Sequence, residues 1–586
     1  MLKILKYLKT KEWLGAALCL VFIVGQVWLN LKMPDYMAEI TRLVQTQGSA
    51  MSEIWKQGGL MLLCALGSVA SMIVVGFFAS RIAASFSRRL RSMLFNKVDS
   101  FSLEEINRFS TSSLITRSTN DITQIQFLVT MGLQLVISAP IMAIWAVTKI
   151  AGKGVDWSLA TGVAVIIVAI MLVLIMIFVV PKFRMMQSLT DNINMVTREN
   201  LTGLRVVRAY NAEDYQEAKF EKANEELTAT QLYTSRAMAF MMPVMSMIMA
   251  GLSLAIYWIG AYLIDAAQAL DKLTIFSNMV VFTQYAMQVI MAFMMLIMLF
   301  IMLPRALVSA RRINEVLETK PVIFDGTLTN GQPGITGEVE FRNVSFKYPD
   351  AADYVLKDIN FKAKQGQTIA FIGSTGSGKT TLINLVPRLF DVSEGEVFVD
   401  GVNVKDYIGE DLYNKIGYVP QKAVLFMGTV EYNVSYGENG KGEATNEQVK
   451  TAISVAQGTD FVEAMEGTYN ADISQGGANV SGGQKQRLSI ARAVCRQPEI
   501  YIFDDSFSAL DYKTDRLLRS ALKRETGGVT SMIVAQRIGT IMDADQIVVL
   551  DEGKVAGIGT HQELLANCDV YKEIAMSQLS EEELVS

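Results

Sequence analysis

"TIAFIGSTGSGKTTLINL", Thr368 to Leu385, reads as a short apolar strand, a glycine-rich loop and the opening of a helix. Gly373, Ser374, Thr375, Gly376, Ser377 and Gly378 form the loop, and Lys379, Thr380 and Thr381 begin the helix, giving the spacing G-x-x-x-x-G-K-T. Glycines let successive backbone N–H groups converge on phosphate oxygens at a helix N-terminus. In this pattern the lysine reaches the β- and γ-phosphates and the hydroxyl ligates Mg²⁺. Strand and helix flank the loop as that use requires, so the stretch predicts an α/β domain that binds a nucleoside triphosphate, against the plainer reading of a glycine turn.

Working outward, "EIYIFDDSFSALD", Glu499 to Asp511, is an apolar strand that ends on Asp504. A carboxylate there suits a metal contact, direct or through water. Alone this is weak evidence, and the upstream loop gives it value. "NVSGGQKQRLSIARAV", Asn479 to Val494, starts another helix at Ser481, with Gly482, Gly483 and Gln484 in its first turn. Its N–H groups suit a second anion, while Ser481 equally suits a simple N-cap. Two anion sites on one small domain need an explanation.

The first half is of another kind. The chain has 586 residues and is 51 % hydrophobic, with a mean hydropathy of +0.28, and its long apolar stretches nearly all precede residues rich in Gly, Asp and Glu. The expected division is 1–320 for a membrane unit and 321–586 for a soluble one. A bilayer-spanning helix needs about 20 apolar residues, and six stretches qualify: 14–33, 57–80, 128–150, 157–180, 237–264 and 274–303. The first has lysines before it, like a signal peptide, but its run is too long and lacks a small-residue cleavage site, so it reads as a retained span. Lys3, Lys6, Lys9 and Lys11 precede span one, Arg81, Arg88, Arg89 and Arg91 follow span two, and Lys182, Arg184 and Arg198 follow span four. This excess places both termini and two long loops in the cytoplasm. Those loops keep a helical period, with Ile193, Val196, Asn200 and Leu204 as one example, and the outer loops are short except for 34–54.

A net charge of -5 gives no reason to expect nucleic acid as a partner. Cys19, Cys64, Cys495 and Cys568 have neither paired nor metal-ligand spacing. Charge within the spans is nearly absent, which argues against a pump with a carboxylate relay. Methionines stand at helical spacing instead, at Met287, Met291, Met294, Met298 and Met302 beside Gln284 and Gln288, and at Met238, Met242, Met245 and Met249. Flexible thioethers suit a surface for hydrophobic or amphipathic small molecules. Packing in the bundle or against lipid accounts for the same residues.

Taken together, Gly373 to Thr381, Gln421 in "GYVPQKAVLF", Ser481 to Gln484, Asp504 and "SALD" ending at Asp511 stand in the order of an ABC-type ATPase domain, which the soluble half resembles throughout. "SSLITRSTNDITQIQ" (Ser112 to Gln126) and "ENLTGLRVVRAYNAEDYQEAKF" (Glu199 to Phe220) are similar to the two intracellular loops of exporter-type members, which carry short coupling helices. The resemblance implies a six-helix all-α membrane domain followed by an α/β P-loop ABC ATPase domain, with ATP and Mg²⁺ as cofactors. It implies that two such half-transporters sandwich two ATPs, so the second anion site serves the partner's nucleotide. Tyr348 in "VSFKYP" would stack on adenine by the same implication, or else pack as a strand aromatic. Thr380, Asp504 and Gln421 would contact Mg²⁺, and Asp511 would join the nucleotide-binding set.

Two positions depart from the family. Efficient members carry Glu after the Walker B aspartate and His in the switch loop, where this chain has Asp505 and, in "SMIVAQRIGTI", Gln536. Asp is shorter than Glu by one C–C bond, about 1.5 Å. Gln536 can donate a hydrogen bond but carries no charge. With Asp505, Gln536 and Gln421 as the candidate catalytic group and the signature Ser481–Gln484 intact, the expectation is a heterodimer with a second half-transporter, similar to bacterial multidrug exporters of the LmrC/LmrD type, in the cell membrane. This chain would supply the degenerate site. A lipid or lipid-linked cargo, and an ATP-binding regulatory subunit without transport, are the alternatives.

Overall fold

The computed structural model describes residues 2–46, 48–151, 155–349, 351–525 and 527–579. The chain divides into two compact units, one of Met1–Asp99 with Thr111–Thr319 and the other of Lys320–Ser586 with Ser100–Ser110.

The first unit is built from helices Thr10–Gln45, Met51–Asp99, Ile122–Ala151, Val155–Phe178 followed by Val180–Thr202, Glu213–Ala266 and Ala269–Glu318. Six of its helical stretches are long and apolar enough to cross a membrane. Met51–Asp99 has 49 residues, roughly 74 Å at 1.5 Å per residue, far beyond the ~30 Å hydrocarbon layer. Its basic second half, where Phe86, Leu90 and Leu94 are buried, thus runs on well past a bilayer. The longer outer loop expected at 34–54 is mostly helix, because Thr10–Gln45 continues through Pro34 and the next helix begins at Met51.

Ile23, Val27 and Leu31 of the first helix share a core with Phe282, Tyr285 and Val289 of the last. Met245, Met249 and Met294 belong to that core as packing residues, whereas Met242 is 63 % and Met291 41 % exposed. Met298 and Met302 fall outside the described side chains. Charged groups flank the apolar stretches in pairs: Arg117 Nη1 lies 2.9 Å from Glu315 Oε2, and Lys149 Nζ lies 2.8 Å from Asp35 Oδ2. Tyr285 is fully buried, and its hydroxyl lies 2.8 Å from the Leu31 carbonyl and 2.7 Å from Asp35 Oδ1.

The second unit has twelve described strands: β1 Val339–Phe346, β2 Leu356–Ala363, β3 Thr368–Gly373, β4 Glu394–Val399, β5 Val402–Asn403, β6 Ile416–Val419, β7 Gly428–Thr429, β8 Asp472–Ile473, β9 Ile500–Asp504, β10 Thr530–Val534, β11 Gln546–Asp551 and β12 Lys554–Gly559. They form a sheet of order β2-β1-β4-β5, a larger one of order β12-β11-β3-β10-β9-β6, and the pair β7-β8. In the larger sheet β11, β3, β10, β9 and β6 run parallel and β12 is antiparallel. All five residues of β9 are buried, the apolar run expected of a parallel strand covered on both faces.

Register then places the site. Val534 pairs with both Asp504 and Phe371, so β3, β10 and β9 finish at one level. Ligands of open α/β sheets lie beyond the carboxyl ends of the strands.

The segment Ser100–Ser110 belongs to this unit through helix Leu103–Phe109. Ser102 and Glu105 close a capping box at its start. The buried Glu105 also accepts from the Val322 N–H at 2.8 Å, and Leu103 packs on the core of Val339, Phe341 and their neighbours.

Candidate nucleotide site

The glycine loop leaves β3 under tight constraint. A Cβ on Gly373, at φ +155°, would stand 2.0 Å from the Leu550 carbonyl oxygen, and one on Gly378, at φ +95°, 2.7 Å from Leu356 Cδ2. Only glycine accepts both the conformation and the space. The loop enters helix Lys379–Asn384, so its N–H groups lie at a helix start.

Lys379 folds back over the loop. Its Nζ donates to the carbonyls of Gly373 at 2.9 Å and Ser374 at 2.7 Å, and to Ser377 Oγ at 3.3 Å. Burial holds its ammonium below the usual lysine range, while the negative charges of Asp505 and Asp504 pull the other way. Thr380 Oγ1 donates to Asp504 Oδ1 at 2.9 Å. Burial pushes the Asp504 carboxyl up, with the Thr380 bond opposing and Asp505 adding to the rise.

Asp505 follows directly with φ +47°, a conformation few non-glycine residues adopt. Its N–H is held by the Val534 carbonyl at 3.0 Å. Its Oδ2 receives two amides, Gln536 Nε2 at 2.7 Å and Gln421 Nε2 at 3.3 Å. Burial raises its carboxyl as well, and the Gln421 bond lowers it. The three residues expected to form the catalytic group thus meet at a single oxygen.

A cavity of about 530 Å³ is lined by the loop residues Gly373 to Gly376 and Gly378 to Thr381, together with Gln421, Asp504, Asp505 and Gln536. Three further wall residues, Ile574, Ser577 and Gln578, come from the end of the described chain. Nothing in their sequence announces them, since the chain's fold alone returns them here.

The donor set fits a magnesium nucleotide. Thr380 and Asp504 offer hard oxygens, and Mg²⁺ is usually held by one or two carboxylates plus phosphates. A partly desolvated ammonium beside an open glycine loop fits phosphate. Among the described residues no group of three His, Cys, Asp or Glu could hold a metal ion.

Tyr348 is half-buried. Its ring meets Phe346 and Phe390 edge-on at 5.0 and 5.4 Å, and its hydroxyl lies 3.0 Å from Thr381 Oγ1. The tyrosine is therefore tied both to the strand core and to the loop helix. Ser481 caps helix Gly482–Cys495 in a box, its Oγ accepting from the Gln484 N–H at 3.3 Å while Gln484 Oε1 accepts from the Ser481 N–H at 2.8 Å. Ser481, Gly482, Gly483 and Gln484 do not line the loop cavity, and neither does Asp511. Asp511 is exposed and accepts from the Thr514 N–H, and hydrogen bonds from the Thr514 side chain and then its backbone hold the carboxyl below the usual range.

Comparison with known proteins supports this reading of the chain. The family described as "ABC transporter" matches residues 356–508, and "ABC transporter transmembrane region" matches 16–293. An ABC transporter ATP-binding protein of Mycobacterium tuberculosis (strain H37Rv) is 42 % identical over 89 % of this chain and 87 % of its own length. YfiB of Bacillus subtilis is 36 % identical over 99 % of both chains. An ATP-dependent lipid A-core flippase of Syntrophus aciditrophicus is 30 % identical over 87 % of this chain and 83 % of its own length. In fold, a bacterial Atm1-family ABC exporter solved with ATP bound superposes with a TM-score of 0.80 at 23 % identity, covering 98 % of this chain and 100 % of that one.

Proposed function

The chain belongs to the ABC transporter family, a multi-pass membrane protein with an ATPase domain, and from that premise we propose that it is one subunit of a heterodimeric exporter of hydrophobic or amphipathic compounds. Both termini and the ATPase domain lie in the cytoplasm of a bacterial cell. The chain contributes a slow ATP site and an intact signature, Ser481 to Gln484, to the partner's fast one.

One observation carries the slow-site assignment: Asp505 Oδ2 accepts from both Gln536 and Gln421. A base must come within hydrogen-bond reach of the water it activates. Asp505 is one carbon short, and its Oδ2 is occupied by two amides, of which the Gln421 bond opposes the rise that burial gives its carboxyl. A displacement of about 1 Å costs roughly 100-fold in rate. Gln536 donates without charge, so it orients but adds no cationic stabilisation.

The other residues are equipped for binding. Lys379 exchanges its bonds to the Gly373 and Ser374 carbonyls for phosphate oxygens, and the loop N–H groups converge on the same charge. Thr380 and Asp504 hold Mg²⁺, which when bound offsets phosphate charge. Tyr348 is the proposed stacking partner of adenine; it lies outside the lining of the loop cavity, and its hydroxyl is bonded to Thr381 of the helix that follows the loop. A site that binds well and cleaves poorly retains ATP and keeps two subunits together while the partner's site turns over.

A lipid cargo is the second reading, favoured by the 30 % identity to a lipid A-core flippase. Dye efflux from cells and labelled-lipid transfer in proteoliposomes separate the two cargoes. For the heterodimer, purification of the tagged chain from its native membrane is the test. An equimolar second half-transporter with Glu and His at the corresponding positions supports the proposal, and a homodimer with full drug-stimulated ATPase overturns it.

A further inference from the structure

The switch residue Gln536 does not hold its own place. Its carbonyl accepts from Gln578 Nε2 at 2.8 Å, and the same amide's Oε1 accepts from the Ile538 N–H at 2.9 Å. One side chain therefore clasps the backbone on both sides of Arg537. The clasp stands on a firm base. Helix Asp569–Met576 is anchored by Tyr571 and Ala575, both fully buried, and the Ala575 carbonyl accepts from the N–H groups of Gln578 at 3.1 Å and Leu579 at 2.9 Å. Leu579 packs on the same core, and Ile574, Ser577 and Gln578 form part of the wall of the cavity around the glycine loop.

We propose that Gln578 is the positioning residue of the switch loop: its amide fixes the peptide planes around Gln536 so that Gln536 Nε2 points at Asp505. Fixing the carbonyl of residue 536 and the N–H of residue 538 leaves the intervening backbone little rotation, and the Cα–Cβ direction of Gln536 follows. A primary amide fits because it presents one donor and one acceptor from a single planar group. Glu at 578 keeps the acceptor and loses the donor, while Ala loses both. The position is exposed, so its replacement leaves the core intact. The functional half of this inference rests on the proposed role of Gln536 at the bound nucleotide, and the structural half does not.

Hydrogen exchange of the full-length protein, read at the Ile538 amide, tests the clasp without reference to turnover. Gln578→Ala should raise that exchange about tenfold and Gln578→Glu should leave it near the parent rate, because the acceptor survives. Unchanged exchange in Gln578→Ala overturns the proposal. The release rate of labelled ATP, in the presence of Mg²⁺, then reads the site. Gln578→Ala should hasten release severalfold, and adding it to Gln536→Ala should change nothing further, since the clasp acts through Gln536. Additive effects overturn the positioning role and assign Gln578 its own contact. If exchange responds as stated but ATP release does not respond even to Gln536→Ala, the clasp stands and the proposed role of Gln536 falls.

Discussion

Gln536 Nε2 lies 2.7 Å from Asp505 Oδ2, a direct hydrogen bond between the switch loop after β10 and the residue after β9. In a fast ATPase of this family these two places hold a base and an imidazole; here they hold a short acid and a neutral amide, bonded to each other.

Lengthening the acid tests the proposed slow site. Asp505→Glu is expected to increase single-turnover ATP cleavage at this site by about tenfold, a share of the roughly 100-fold that 1 Å of misplacement costs. Combining it with Gln536→His should add to the gain. Asp505→Ala should slow turnover of the paired transporter only partly; a loss as complete as that from removing the partner's Glu would make Asp505 a working base.

Lys379→Ala should weaken ATP binding by about tenfold to 100-fold, the equivalent of one charge-assisted hydrogen bond. Equilibrium binding of labelled ATP measures it. Thermal stability without nucleotide should change little, because the ammonium satisfies only loop atoms.

Gly373→Ala attacks the backbone. With the Leu550 carbonyl 2.0 Å from the new Cβ, β3 and β11 must separate or the loop must move. A destabilisation of about 3 kcal/mol or more is expected, with a lowered unfolding midpoint of the ATPase unit as its readout.

His561 is the only histidine in the sequence. It is buried with Nδ1 2.7 Å from the Tyr571 hydroxyl, and its Nε2 has no partner among the described residues. Burial holds its pKa below the ordinary value of 6.5. The unfolded chain therefore binds the proton first as pH falls, so this contribution to stability is complete above about pH 6.5 and declines below it, until the folded ring titrates as well. The slope is at most about 1.4 kcal/mol per pH unit. Thermal unfolding between pH 7 and 5 should show it, and His561→Gln should flatten the curve.

What could be read from residues alone follows a physical divide. The glycine loop, Asp504 and Asp505 were legible because their chemistry demands fixed spacing between neighbours in sequence. The spans were legible because each must be apolar for about 20 residues. Residues 34–45 read as a loop because Pro34 and mixed polarity hide a helix that its neighbours hold in place. Helix Leu103–Phe109 carried a capping box in "SLEE", yet nothing local says that the Val322 N–H will meet Glu105. Gln578 was invisible for the same reason, because its partners are 40 and 42 positions away.

The contact between Tyr285 and the first helix has a mechanical meaning. Pro34 has no N–H to give the Asn30 carbonyl, and Gln288 Nε2 approaches that oxygen at 3.5 Å. One turn along, the single proton of the Tyr285 hydroxyl is shared between the Leu31 carbonyl and Asp35. The polar groups around Pro34 in one helix are thus met by side chains of another, so moving the first without the last would strand buried polar groups. The first and last helices of the unit are thereby tied at the level of the proline.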